Sequence, residues 1–312
     1  MKLIEASAEF IPQEDLYKQV ELAGRTCYKS QDKITEDSAK AFVDRMINSK
    51  HLAMLEHGTV YLYLSYKDYE ETWVKYTENP YSKVIPKYNH TEGNPHNEIY
   101  FFDRYITTNY RVLAENGWLD DLRYLCEPTE FHEKRYTFKV NTSIGVSREF
   151  NRHRANSIAE QSTRFCNYST GKFDNQVAFC IPAWLTLNPG MYELKHLTID
   201  GISDTYVVGD GYLIPISNSS PENKFIMRRM SNEQDYLEDI KDGLKPQQAR
   251  ENLTLCTATE VVYTGFASDW KHFFDLRYFE TTGAVHPNML ELTTKMKKVA
   301  EEANIWNDIM KY

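Results

Sequence analysis

The chain of 312 residues is short of the features that mark several large protein classes. Its five cysteines, Cys27, Cys126, Cys166, Cys180 and Cys256, are odd in number and never spaced C-x-x-C, so neither a disulfide framework nor a zinc site is suggested. They read as reduced, buried, small apolar residues. No stretch approaches the roughly 18 consecutive apolar residues of a membrane span. The N-terminal MKLIEASAEFIPQEDL turns acidic where a secretory signal would carry its apolar core, which predicts an intracellular, cytoplasmic protein with no membrane partner. The thirteen glycines are dispersed and form neither G-x-G-x-x-G nor G-x-x-x-x-G-K-[ST], so no Rossmann fingerprint or phosphate loop is present. Positive charge is also in deficit: 36 Lys+Arg against 45 Asp+Glu leave −9, which argues against a globally basic nucleic-acid binder. There is no internal repeat or low-complexity tract, which sets solenoids aside.

What is present is the composition of a globular protein, 41% hydrophobic, 13% aromatic and 26% charged, enough for a sizeable core. Ala39, Phe42, Val43, Met46 and Ile47 recur at helical spacing and paint one face. Residues 103–126 read as helical with an Asn-Gly break at 116–117. Residues 231–243 read as a helix capped by Ser231, and Pro246 opens another running through Tyr263. A final helix is expected from Asn288 to about Tyr312. Thr59–Ser65 and Tyr136–Val140 are rich in β-formers and predict strands. A mixed α+β fold follows. The segments 77–98 and 185–224 carry turn residues at short spacing, the second suggesting a hairpin excursion.

The densest chemical constellation is Arg148-Glu149-Phe150-Asn151-Arg152-His153-Arg154, followed by ANSIAEQSTRF. Within 148–164, four arginines and two glutamates give +2, so the rest of the chain carries −11 of the total −9. Arg suits planar, bidentate contact with phosphate oxygens, and Ser162 adds a neutral donor beside Arg164. From charge alone, pairing with surplus acids on a solvated face is the simpler reading.

Arg152-His153-Arg154, seven residues and Ser162 match the R-H-R-x7-S pattern of the flavin-dependent thymidylate synthases. The chain resembles that family elsewhere in the same order. Ala23-Gly24-Arg25-Thr26-Cys27 resembles A-x-R-V-S, and Leu55-Glu56-His57-Gly58-Thr59-Val60 resembles the E-H strand entry. Phe179-Cys180-Ile181-Pro182 is similar to Y-I-P, and Pro246-Gln247-Gln248-Ala249-Arg250 to P-x-x-A-R. Phe274-Asp275-Leu276-Arg277 with Ala284-Val285-His286-Pro287 resembles the N-L-R and A-H-P pair. The match covers about 1–66, 133–183 and 225–312, which leaves 67–132 and 184–224 as insertions into a single mixed α/β domain.

The resemblance implies conversion of dUMP to dTMP, with methylenetetrahydrofolate giving the carbon and NADPH a hydride through bound FAD, in a homotetramer with shared active sites and FAD in an interface groove. It assigns Arg277 to the uracil ring, where it favours N3 ionisation and so makes C5 nucleophilic without a cysteine attacking C6. It gives the phosphate to Ser162, Arg164 and Arg250, with Arg250 supplied by a neighbouring subunit. Arg152, His153 and Arg154 would contact the flavin, Arg152 also near the nucleotide, and Glu160 would lie near both ligands. His57 would sit against the isoalloxazine with Thr59 close by, His272 would touch the cofactor, and His286 would lie near the substrate. No metal is implied. Glu149 stands where shorter members have Gln, and accepts from base or ribose or points away. Cys27 replaces Ser, and Phe266 replaces a flavin-contacting Asn. Two rival readings are an RNA-binding protein using the arginine window, which would need a broad basic face with interleaved aromatics, and the same scaffold acting on another pyrimidine.

Overall fold

The computed structural model describes residues 1–13, 15–67, 71–94, 97–209 and 211–312, so residues 68–70, 95–96 and 210 of the two expected insertions lie outside the described residues. At its centre is an antiparallel sheet in the order Ser7–Ile11, Arg135–Ser143, Ala258–Phe266 and Ser157–Glu160. All of Ala258–Phe266 is buried because helices cover both of its faces. Trp270, Phe273 and Phe274 of the helix Ala267–Arg277 pack with Met289, Leu292 and Met296 of Pro287–Glu302 against Phe138, Val140, Val261 and Tyr263. On the opposite face, Ala23 of the helix Leu16–Cys27 meets Ala159 and Val262. Each large apolar side chain buried here is worth roughly 1.5–3 kcal/mol, so the two-sided cover fixes this strand as the structural axis of the site.

That burial also explains a correction. The helix expected from Pro246 to Tyr263 lasts one turn, Pro246–Ala249, followed by a 3-10 turn at Arg250–Asn252, and the rest is the central strand. A strand wet on neither face has no polar alternation to betray it. The helix expected from 103 begins only at Tyr110, because Asn97–Asn109 is a strand between Thr59–Leu64 and Lys83–Asn94. Its β-branched Ile106, Thr107 and Thr108 favour that state. The Asn109 side chain then caps Tyr110–Asn116 by accepting from Val112 N at 3.1 Å, and Gly117 ends it at φ +72°. Ser231 is no cap: the helix is Pro221–Lys241, with Ser220 as N-cap and Pro in its first turn. The C-terminal helix is two, Pro287–Glu302 and Trp306–Met310, broken at Asn304 with φ +57°. The expected helix around 39–47 and strands around 59–65 and 136–140 are present as Ser38–Asn48, Thr59–Leu64 and Arg135–Ser143.

The segment 67–132 is built into the core, since Tyr76, Ile106, Tyr110, Val112 and Leu113 pack with Val20, Phe42, Leu55 and Leu62. Gly58, in the Glu-His-Gly turn, lets this layer close, because a Cβ there would lie 2.4 Å from Leu16 Cδ1. The segment 184–224 forms a separate antiparallel sheet of Glu193–Ile199, Ile202–Gly209 and Tyr212–Pro215, tied down by Tyr192 and Val207 among Phe179, Ile226 and Tyr236.

Candidate active site

The helix Ile144–Phe150 runs off the strand Arg135–Ser143, with the Ser143 side chain capping it by accepting from Val146 N at 3.3 Å. Its last residue is fixed by stacking: Phe150 lies between Tyr263, 4.2 Å away, and Phe273, 4.6 Å away. His153 N donates to Phe150 O at 2.8 Å, so the Arg152-His153-Arg154 turn is hung on that buried ring. Arg277, in the last turn of Ala267–Arg277, reaches this turn. Its Nη1 donates to Glu149 Oε2 at 3.0 Å and its Nε to His153 Nε2 at 3.2 Å. An imidazole nitrogen that accepts carries no proton, so His153 is neutral with its proton on Nδ1. Burial, then the Arg277 charge, then His272, pull its pKa down to about 4. Glu149 also lines a cavity of about 560 Å³ shared with His286, Trp184 and Arg229. His286 caps the following helix, accepting from Asn288 N at 3.2 Å.

A second group assembles beside the first. Glu160, ending Ser157–Glu160, accepts from Ser147 Oγ at 2.7 Å and Thr259 Oγ1 at 3.1 Å. The turn that follows is pinned by Ser162 N donating to Cys27 O at 2.9 Å, and Arg164 N donates to Ser162 Oγ at 3.3 Å. Arg164 Nε donates to Gln247 Oε1 at 3.1 Å, and Arg250 Nη1 to Thr163 Oγ1 at 3.5 Å. The short helix that carries Gln247 and the turn that carries Arg250 therefore pack on the Ser162–Arg164 turn of the same chain. A cavity of about 440 Å³ lies here, lined by Arg148, Thr163, Arg250 and Glu251, and it shares Thr254 and Leu255 with the Glu149 cavity. Arg148 was legible as part of the arginine window but received no role from the family pattern; it lines this cavity beside Arg250.

The residues expected at FAD divide in two. Arg152, Arg154 and His272 are exposed, and neither arginine has a carboxylate partner among the described residues. His153 and His272 are 6.2 Å apart by ring centroids. Exposed, unpaired guanidinium groups fit a dinucleotide's pyrophosphate. His57 and Thr59 do not fit as contacts on a flavin. His57 has 0% exposure and Thr59 2%, so both lie behind the surface, which corrects the expectation that His57 sits against a ring. His57 Nδ1 lies 2.9 Å from Thr264 Oγ1, and that hydroxyl continues to Thr137 and Gln19. Burial, then Arg135, push the His57 pKa down to about 3.

Arg135 was missed in the sequence. It is 5% exposed, and it donates to Glu56 O at 3.0 Å, Thr59 Oγ1 at 3.3 Å and Ser157 Oγ at 3.1 Å. Phe266, 5.4 Å away, supplies a ring face for its charge rather than a flavin contact. Single guanidinium groups in strands have no sequence pattern that separates them from surface arginines. Burial pushes the Cys27 and Cys166 thiols up to about 11 each, and raises Cys126 and Cys180, so none of these four is a resting thiolate ready to add at C6 of a pyrimidine.

Residues 107–303, more than half of the chain, match the family model described as thymidylate synthase complementing protein. The match includes the segment 184–224 and leaves out the Ala23–Cys27 and Leu55–Val60 motifs. No curated protein matches. Among solved structures, the chain is similar to a UMP/dUMP methylase, PolB from Streptomyces cacaoi, bound with 5-Br dUMP. The likeness is 13% identity, TM-score 0.43, covering 100% of this chain and 97% of that one. It is also similar to Thymidylate Synthase X from Helicobacter pylori with FAD and dUMP, at 14% identity and TM-score 0.36, covering 99% of each. No helix among the described residues is long and apolar enough to cross a membrane. With its family model spanning both arginine groups of the site, the chain belongs to the thymidylate synthase complementing family, the flavin-dependent thymidylate synthases.

Proposed function

We propose that this chain methylates dUMP to dTMP, taking the carbon from methylenetetrahydrofolate and the reducing equivalents from NADPH. The carrying observation is that one chain packs Gln247 and Arg250 on the Ser162–Arg164 turn, beside a cavity lined by Arg148, Thr163 and Arg250, and braces Arg277 on His153 and on Glu149, which lines the adjoining cavity. A dianionic 5′-phosphate suits the first group: Arg250 and Arg164 supply forked donors, Ser162 a hydroxyl, and Arg148 a further positive charge. The uracil ring belongs at Arg277. Its guanidinium stabilises the anion formed when N3–H ionises, and the negative charge delocalises onto C5. C5 then bonds to the methylene carbon, which parts from its folate nitrogen, and the C5 proton is lost, so no sulfur need add at C6. Glu160, held by Ser147 and Thr259, lies near the nucleotide, and Glu149 accepts from base or ribose.

Arg152, His153, Arg154 and His272 would hold FAD, which supplies, when bound, the route by which hydride from NADPH reduces the transferred carbon. His57, Thr59 and Arg135 back that surface from inside and set its shape. The protein works as a cytoplasmic homotetramer built from one catalytic domain, with 67–132 and 184–224 as additions to it. The test is release of tritium from C5 of dUMP with NADPH and methylenetetrahydrofolate present. Purified protein that takes up FAD yet releases no tritium overturns the reaction, and colourless protein that cannot take up FAD overturns the cofactor.

A further inference from the structure

The wall of the Glu149 cavity carries a sulfur with unusual neighbours. Cys256 sits between the turn Arg250–Asn252 and the strand Ala258–Phe266, where its Sγ accepts from Arg229 Nη1 at 2.7 Å and lies 3.1 Å from Thr254 Oγ1. Arg229 projects from the helix Pro221–Lys241 and has no carboxylate partner among the described residues. Its Nη1 also donates to Thr254 Oγ1 at 3.2 Å, its Nε is buried without a partner, and the rings of Phe179 and Phe225 flank it. The Arg229 guanidinium is thus held without a counter-ion and points one of its N–H groups at the Cys256 sulfur. The adjoining cavity of about 560 Å³, walled by Pro182, Trp184 and Phe225, gives a small reagent access to it.

A second sulfur stands opposite. An antiparallel bridge between Phe179 and Thr257 sets Cys180 across from Cys256, and Cys180 N donates to Cys256 O at 2.9 Å. Opposed residues on antiparallel strands lie about 4.5–5.5 Å apart at Cα with their side chains on one side. That separation falls inside the span of about 4.4–6.8 Å that a disulfide requires. Cys180 is buried and both thiols are free.

We propose that Cys256 is a peroxide-sensitive nucleophile and Cys180 its resolving partner. The Cys256 sulfur attacks one oxygen of a hydroperoxide and an S–O bond forms as the O–O bond breaks; for hydrogen peroxide the departing hydroxide takes the thiol proton and leaves as water. The Cys180 sulfur then displaces the hydroxyl from Cys256, and a second water leaves with the Cys180 proton as the S–S bond closes. Two thiols give up two electrons and the peroxide accepts them. The inference stands on Arg229, Thr254 and the strand pairing, and does not depend on the nucleotide chemistry.

The test treats the full chain with equimolar hydrogen peroxide and maps an unreduced digest by mass spectrometry. A Cys180–Cys256 linked peptide, abolished by dithiothreitol, is expected. In Cys180→Ser the same dose leaves a Cys256 sulfenic acid that dimedone captures. Arg229→Met slows alkylation of Cys256 by iodoacetamide about tenfold, while Cys27 and Cys166 serve as unchanged internal references. Folded wild-type protein that yields no linked peptide overturns the proposal however the variants behave. So does an Arg229→Met protein of native circular dichroism in which Cys256 alkylates at the wild-type rate.

Discussion

Arg277 and Glu149 meet at 3.0 Å with their side chains 23% and 29% exposed, while Arg277 Nε donates to His153 Nε2 at 3.2 Å. Two of the three guanidinium nitrogens are thereby fixed, and Nη2 has no partner among the described residues. The group is oriented before any substrate arrives, which is the condition under which a charge stabilises a developing anion without reorganisation.

Arg277→Ala should retain flavin and fold, since Arg277 packs at a helix end rather than in the core, and should lose on the order of 100- to 1,000-fold in kcat. Arg277→Lys should recover little of it, because an ammonium cannot serve Glu149, His153 and a uracil edge together. Steady-state tritium release checks both. Normal turnover by the alanine variant removes Arg277 from the chemistry.

The Glu149 carboxylate competes with a uracil anion for the same guanidinium. A partly exposed ion pair is worth about 0.2–1 kcal/mol, so Glu149→Gln should tighten dUMP by up to about fivefold at nearly unchanged Tm. Titration calorimetry with dUMP decides this. Because the glutamine amide oxygen can still accept from base or ribose, weaker binding by this variant would mean that the charge of Glu149 strengthens that contact by more than the competition costs.

His153 and His57 are both held neutral, with pKa values pulled from 6.5 to about 4 and about 3. Below about pH 6.5 the unfolded chain takes up protons at these positions that the folded chain refuses, so stability falls as pH falls through that window and is greatest above it. The slope is on the order of 1.4 kcal/mol per pH unit for each histidine. His153→Asn should flatten the fall in Tm measured from neutral pH down to about pH 4.5. An unchanged slope in that variant would place the His153 pKa near its ordinary value.

The family was more legible than the fold. Arg152, His153, Ser162, Arg164, Arg250 and Arg277 stood in a recognisable order along the chain, and the family model over 107–303 spans all of them. Ala258–Phe266 was misread because two-sided burial erases periodicity. Asn97–Asn109 was misread in its second half because Tyr105, Ile106 and Leu113 fit a helical period as well as a strand. Ser220-Pro221-Glu222 is a helix start in plain view, passed over for Ser231, which lies within the helix it seemed to begin. His57 shows the converse failure. Its neighbours in sequence match a family motif, but only the packing of Thr264 and Arg135 around it reveals that the ring faces inward.

Arg250 offers the sharpest division between phosphate and base recognition, since it touches Thr163 and borders a cavity with Arg148 but makes no contact with Arg277. A charge-assisted hydrogen bond contributes about 1.5–3 kcal/mol, so Arg250→Ala should weaken dUMP by about 10- to 150-fold. The same variant should bind deoxyuridine, which lacks the phosphate, as tightly as the wild type does. Arg148→Ala should weaken dUMP only about two- to fivefold, because Arg148 contributes field rather than a direct contact, and raising salt should shrink that smaller effect first. Equilibrium binding of the nucleotide and the nucleoside to each variant separates these outcomes. Equal losses for both ligands in Arg250→Ala would show that the arginine holds the turn in shape, and the phosphate would then have to be sought nearer Arg152 and Arg154.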